Sequence, residues 1–118
     1  MPIVRMEIVD VDQLPIGSVQ RLADEIGDLL GAERGETWLQ AVPIPASHYA
    51  ENRQPDAARH FRPVFVSVER WGRARNQVAE ARAIASLVAA ILGRDRKHVH
   101  VKFGEPLAGR IAFRGEFE

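Results

Sequence analysis

The chain contains no cysteine among its 118 residues. This absence excludes disulfide bonds, thiolate catalysis and cysteine-ligated zinc or iron–sulfur centres. The chain also has no excess of charge, because 16 Lys and Arg residues balance 16 Asp and Glu residues. A neutral chain is a poor general binder of nucleic acid. We therefore predict no nucleic-acid partner.

Long apolar runs are missing as well. The opening stretch MPIVRMEIVD has neither the basic region nor the apolar run of a secretion signal, and no segment has the length that spans a bilayer. We predict a soluble cytoplasmic protein with no membrane partner. With 46% hydrophobic residues the chain fits a single domain, and a domain this small gains stability from assembly into an oligomer.

The first half of the chain predicts a strand, a helix and a second strand. Apolar side chains at residues 2–9 indicate the first strand, which turn residues at 10–17 end. Thr37–Ile44 predicts a short strand at a sheet edge, because Pro43 cannot donate a ladder hydrogen bond. Ser18 is expected to cap a helix between these strands. The inner face of that helix carries apolar residues at helical spacing, namely Val19, Leu22, Ile26, Leu29 and Leu30.

The same order of elements returns in the second half. Residues 63–68 and 99–103 predict strands, and Asn76–Leu92 predicts a helix between them. The predicted inner face of this helix consists of Val78, Ala81, Ile84, Ala85, Val88, Ile91 and Leu92. Residues 46–62 are polar and turn-rich and predict a long loop, while residues 109–117 predict a short final strand.

The two halves echo each other in sequence. The stretches LLG and ILG, and then WLQAV and HVHVKF, recur in the same order about sixty residues apart. We predict one α+β domain over residues 1–118, built as a tandem β-α-β repeat with pseudo-repeats at about 2–45 and 63–104. Right-handed crossovers place both helices on one face of a four-stranded sheet. The other face then needs a cover, which a partner subunit can supply.

Three motifs resemble the tautomerase superfamily, the β-α-β group with an amino-terminal proline that includes 4-oxalocrotonate tautomerase and macrophage migration inhibitory factor. The motifs are MPIV at the start, ERWGR at 69–73 and DRKHVHVKFGE at 95–105 trailing into GEF. Their order covers nearly the whole chain outside the 46–62 loop, and the most similar subgroup is the cis-3-chloroacrylic acid dehalogenases. The resemblance implies a homotrimer with active sites at subunit interfaces, a small carboxylate substrate and no cofactor.

Pro2 is the predicted catalytic residue. The resemblance implies that removal of Met1 leaves the Pro2 amine free to act as general acid/base or to activate water. An α-amino group has a pKa of about 8, and partial desolvation beside cations lowers that pKa toward neutrality, where proton transfer at working pH is efficient. Pro63 takes the equivalent place in the second half but has no free amine.

Arg70 and Arg73 are the predicted carboxylate-binding residues. They flank Trp71 and Gly72, and the glycine permits a turn that lets both guanidinium groups converge on one anion. In the resembling subgroup this R-x-G-R pattern holds the substrate carboxylate. The alternative is that both are solvated surface arginines, which is how we interpret Arg75.

Lys102, His100 and Tyr49 complete the predicted site. Lys102 and His100 share the polar face of the last main strand by their period of two. In the resembling proteins this face lines the pocket, with an aromatic residue at the Lys102 position. Lys102 can bind a second carboxylate or a carbonyl oxygen, or it can form an interface salt bridge instead, and Tyr49 is a predicted wall residue. The histidines and carboxylates have no metal-ligand spacing, so we predict no metal.

The chain departs from the dehalogenase pattern at three positions. The histidine, tyrosine and water-activating glutamate of that subgroup fall here at Leu29, Lys102 and Phe113. Without that glutamate we expect a tautomerase or isomerase of a small enol or 2-oxo acid. The alternative enzyme is a hydratase, dehalogenase or decarboxylase of a three-carbon unsaturated or 3-oxo acid, and the alternative of another class is a non-catalytic trimeric binding protein.

Overall fold

The computed structural model describes residues 1–117. Its main elements follow the order strand, helix, strand, repeated once, which confirms the predicted α+β fold class. The elements are β1 (Ile3–Val9), α1 (Ser18–Leu29), β2 (Trp38–Ile44), a 3-10 turn (Ala46–His48), α2 (Ala57–Phe61), β3 (Val64–Glu69), α3 (Gln77–Leu92), a second 3-10 turn (Arg96–His98), β4 (Val99–Phe103), β5 (Ala112–Phe113) and β6 (Glu116–Phe117).

The four main strands form a mixed sheet in the order β2-β1-β3-β4. β1 and β3 are antiparallel neighbours at the centre, and each pairs in parallel with an outer strand. The register sets Ile3 opposite both Trp38 and Glu69, and it sets Ile8 opposite Pro43. Because β2 lies at an edge, the missing N–H of Pro43 leaves no gap in the interior of the sheet, as predicted.

The hydrophobic core lies between one face of the sheet and the two long helices. Every second residue of the central strands faces α1 and α3, and burying each such side chain contributes about 2 kcal/mol. Core residues of the central strands and helices include Val4, Met6, Ile8, Val64, Val66, Val68, Leu22, Ile26, Ile84 and Val88.

Neither of the two long helices packs on the opposite face of the sheet. We call it the open face and define it by Arg5, Glu7, Phe65, Ser67, His100 and Lys102. These residues alternate with the buried ones and are exposed or half-buried. The open face therefore combines charged, polar and aromatic groups, and it is accessible in the single chain.

Three local predictions are wrong. Val78 is 63% exposed, because the first three residues of α3 are all exposed and do not pack against the core. Leu29 is exposed at the last turn of α1, where Leu30 packs against the core instead. Ser18 does not cap α1, since Gly17 holds the N-cap position and the Ser18 hydroxyl donates to the Pro15 carbonyl at 2.7 Å.

Two segments hold more structure than the sequence pattern indicates. Residues 46–62 contain a 3-10 turn and the short helix α2, whose alanines Ala57 and Ala58 are buried. The tail forms a small hairpin of β5 and β6, separate from the main sheet. Phe113 anchors the hairpin by packing edge to face on Trp38, with ring centroids 5.4 Å apart. Among residues 1–117, no helix combines the length and apolarity needed to cross a membrane.

Candidate active site

The amino-terminal end of β1 holds Pro2 in place through the sheet. Ile3 pairs with β2 and β3, and the Pro2 carbonyl accepts a hydrogen bond from the Trp38 amide at 3.0 Å. Pro2 itself is half-buried, with Met1 preceding it. A residue fixed by backbone pairing on its carboxyl side has a defined position relative to the neighbouring strand ends.

Pro2 lines a cavity of about 230 Å³. Its walls come from the end of α1, the segment before β2 and the turn after β3. The lining residues are Met1, Pro2, Leu30, Gly31, Ala32, Glu36, Arg70, Trp71 and Gly72. Small side chains at the end of α1 leave this space open, and Gly31 adopts a φ of 70° that ends the helix there. The structure thus brings two predicted site residues, Pro2 and Arg70, to one cavity.

Arg70 is held by a carboxylate of its own chain. Its Nη2 donates to Oε2 of Glu80, and the two side chains are only 22% and 17% exposed. Glu80 lies in the first turn of α3. Asn76 is the N-cap of this helix, and its side-chain oxygen accepts from the Ala79 amide at 3.0 Å. The main chain of Arg70 is also fixed, because its carbonyl accepts from the amide of buried Leu107 at 2.8 Å.

Arg73 pairs with a different carboxylate from Arg70. Its Nη2 donates to Oε2 of Glu105 at 2.9 Å, and these side chains are 62% and 70% exposed. Arg73 is not among the residues that line the Pro2 cavity. The two arginines of the R-x-G-R pattern therefore contact different carboxylates rather than one shared anion site.

Lys102 and His100 lie on the open face, where the sheet separates them from the core. They line a cavity of about 140 Å³ with Glu7, Phe65 and Ser67 among its other walls. The imidazole of His100 lies 5.2 Å from the Phe65 ring, centroid to centroid. This cavity and the Pro2 cavity have no lining residue in common.

Tyr49 belongs to a third region, formed by the segment between β2 and β3. Its hydroxyl donates to Glu51 at 2.8 Å, and its ring lies 5.8 Å from that of Phe65. Desolvation first, and then the hydrogen bond and the negative charge of Glu51, raise the pKa of Tyr49 to about 12. Within one chain the structure does not bring Tyr49 to Pro2.

Glu36 is a carboxylate at the Pro2 cavity that the sequence pattern did not reveal. It lines the cavity together with Pro2 and Arg70, and its Oε1 accepts from the Glu33 amide at 2.6 Å. The parallel register supplies a signal that sequence reasoning missed. Since Ile3 is opposite Trp38, a side chain two residues before β2 lies beside the start of β1.

A second, wider space of about 430 Å³ adjoins the Pro2 cavity. The two share Met1, Glu36 and Trp71, and the wider one adds Phe113 and Arg114 from the tail hairpin. The Pro2 cavity therefore adjoins a space that is bordered by the aromatic ring of Phe113 and by the cation of Arg114. Residues 1–117 contain no group of three His, Asp or Glu side chains arranged to hold a metal ion.

No protein-family model and no curated protein matches this chain. Solved structures match it over nearly its whole length. A fused 4-OT, a wild-type symmetric trimer, superposes with a TM-score of 0.78 at 18% identity and covers 98% of this chain and 94% of its own. Pt0534 inactivated by 2-oxo-3-pentynoate gives 0.76 at 17% identity, with the same coverages. Macrophage migration inhibitory factor from Oncomelania hupensis gives 0.75 at 18% identity and covers 100% of this chain and 83% of its own.

These likenesses establish the class of fold. The chain has the fold shared by 4-OT and macrophage migration inhibitory factor, as its motifs led us to expect. Sequence identities below one fifth show a shared fold and do not show a shared reaction. Membership of the dehalogenase subgroup therefore stays a prediction.

Proposed function

We propose that this protein is a tautomerase of small enol or 2-oxo carboxylic acids. The observation that carries the proposal is the joint lining of one cavity of about 230 Å³ by Pro2 and Arg70. Keto–enol tautomerisation needs a base and an anion-binding group, and Pro2 and Arg70 are the candidates for these roles at this cavity.

The proposed reaction uses the Pro2 amine after removal of Met1. Arg70 donates hydrogen bonds to the substrate carboxylate and so fixes the substrate next to Pro2. The amine accepts the enol O–H proton, the oxygen lone pair forms the carbonyl, and the resulting ammonium returns the proton to carbon. The proton count balances within one turnover, so no cofactor enters the scheme.

We propose that the working form is a homotrimer. The open face is accessible in the single chain, and the fused 4-OT that shares this fold forms a trimer. Lys102, His100 and Tyr49 lie away from the Pro2 cavity of their own chain, and we propose that they reach the site of a neighbouring subunit. Sedimentation equilibrium tests the assembly, and a monomer at working concentration would contradict it.

The same 2-oxo-3-pentynoate that inactivates Pt0534 offers a direct test of Pro2. A secondary amine adds to the triple bond of this 2-oxo acid: the nitrogen–carbon bond forms and a proton moves to the adjacent carbon, so the adduct retains every atom of the probe. Intact mass first establishes that Met1 is absent. We then expect one probe per chain on the peptide that begins with Pro2, with loss of enol-acid ketonisation in parallel.

The carboxylate role of Arg70 has a matched control in the chain. Arg70→Ala is expected to slow labelling by roughly 10- to 150-fold, since a hydrogen bond to a charged group contributes roughly 1.5–3 kcal/mol. Arg75→Ala should leave the rate unchanged, because Arg75 is exposed and outside the cavity. Labelling at scattered lysines, or an Arg70→Ala variant labelled as fast as the wild type, would count against the proposal.

Glu36 favours water addition to a three-carbon unsaturated acid as a second candidate. A carboxylate at the Pro2 cavity can accept a proton from a bound water, and Phe113 leaves the usual subgroup position without one. Glu36→Gln would then abolish hydration of such an acid and spare ketonisation of an enol. If the wild type performs neither reaction and is not labelled at Pro2, the trimeric binding protein becomes the better account.

A further inference from the structure

We propose that Glu80 is the positioning residue for Arg70: it fixes the guanidinium at the Pro2 cavity and offsets its positive charge there. The proposal rests on the proposed function for its catalytic meaning. Its structural basis is the contact between Arg70 Nη2 and Glu80 Oε2, made by two side chains that are 22% and 17% exposed.

The position of Glu80 follows from how α3 begins. Asn76 caps the helix, and its carbonyl accepts from the Glu80 amide at 3.1 Å, so Glu80 is held in the first full turn. A carboxylate there also interacts favourably with the positive end of the helix dipole. Arg70 is fixed independently at its main chain by Leu107. Both partners are therefore held in place before any substrate arrives.

Arg73, the other arginine of the motif, forms an exposed ion pair that contrasts with the half-buried pair of Arg70 and Glu80. Arg73 and Glu105 form their pair in solvent, with 62% and 70% of each side chain exposed. Salt and water screen such a pair, which contributes little and is easily displaced. The contrast singles out Arg70 as the pre-positioned anion ligand. Its guanidinium has five N–H donors, and those on Nε and Nη1 remain for a substrate carboxylate.

Glu80 also sets the charge next to Pro2. The titratable groups that line the cavity are Arg70, Glu36 and the terminal amine, and the end of α1 adds none. An ion pair presents a dipole to Pro2, whereas an unpaired Arg70 would present a full positive charge. Unmasking that charge disfavours the ammonium form of Pro2 and lowers the pKa of its amine.

Two variants separate position from charge. Glu80→Gln keeps an oxygen that accepts from Arg70 but removes the charge, while Glu80→Ala removes both. The control is Glu25→Gln, which breaks the exposed Arg21–Glu25 pair on α1. The probe is 2-oxo-3-pentynoate, with the labelling rate of Pro2 measured against probe concentration and pH.

For Glu80→Ala we expect the half-saturating probe concentration to rise about tenfold, because Arg70 loses the charged hydrogen bond that orients its guanidinium. For Glu80→Gln we expect a half-saturating concentration at or below that of the wild type, with the pH profile of labelling displaced to lower pH. Glu25→Gln should match the wild type in both. A merely structural Glu80 would change the melting temperature and leave the pH profile in place.

A readout that does not depend on catalysis keeps the two proposals separable. The Nη2–H protons of Arg70, which Glu80 accepts, should exchange slowly with water by NMR in the wild type and in Glu80→Gln, and rapidly in Glu80→Ala. Slow exchange in Glu80→Ala, or an unchanged half-saturating concentration, would overturn the role of Glu80. A wild type with slow exchange but no labelling at Pro2 would instead sink the proposed function and leave the positioning intact.

Discussion

Replacing Thr37 with valine should stabilise the protein. Thr37 precedes β2, and its Oγ1 is buried with no hydrogen-bond partner among residues 1–117. It lies 3.4 Å from where a Cβ on Gly27 would be, so the hydroxyl faces the surface of α1. A buried hydroxyl without a partner costs about 1–3 kcal/mol of desolvation, and valine has nearly the same shape without that polar atom.

We take about 1 kcal/mol as the expected gain in the free energy of unfolding, which corresponds to a rise of about 4 °C in Tm for a chain of this size. Urea denaturation at one fixed protein concentration measures it, because assembly makes apparent stability depend on concentration. The matched control is Thr37→Ser, which keeps the hydroxyl and loses a methyl group, and should be less stable than the wild type. A Thr37→Val variant less stable than the wild type would refute the reasoning, since it would mean that Oγ1 has a partner in solution.

Two further predictions concern Tyr49 and Arg94. Tyr49 is the only tyrosine in the chain, so tyrosinate absorbance should titrate near pH 12 in the folded protein, against an ordinary value of 10.0. Its contribution to stability is full below pH 10 and declines as pH rises toward 12, and Glu51→Gln should lower the midpoint; a folded midpoint near 10 would contradict this. Arg94→Ala removes the Nη1 donor that the carbonyls of Val9 and Arg62 accept at 2.7 Å each, so urea denaturation should show a loss of about 2–3 kcal/mol, and a loss under 1 kcal/mol would show that water replaces both bonds.

The main sheet and its two long helices could be predicted from the sequence because the hydrophobic periodicity of each element is a local pattern. The alternation of Val64, Val66 and Val68 and the spacing of Ile84 and Val88 each record which side of an element is buried. The errors fall where an element runs past the core. Periodicity assigns a face to a residue such as Val78, but it does not say where along the helix the packing begins.

The candidate site was harder to predict because it depends on which chain segments meet. The Pro2 and Arg70 positions followed from motif resemblance, and they do share a cavity. Glu36 escaped because it becomes visible only once the β1–β2 register is known. The separate partners of Arg70 and Arg73 depend on where α3 and the segment after β4 place two glutamates, and sequence spacing carries no such information.

The sheet has a local twofold relation about the seam between β1 and β3. This relation makes Pro2 equivalent to Pro63. It also makes Ala32, which follows Gly31 after α1, equivalent to Arg94, which follows Gly93 after α3. At the first end a small side chain leaves the cavity open. At the second end Pro63 is fully buried, and the guanidinium of Arg94 reaches inward to two main-chain carbonyls. A symmetric scaffold has thereby become asymmetric through its side chains, because the guanidinium of Arg94 occupies at the second end the place that the small side chain of Ala32 leaves open at the first.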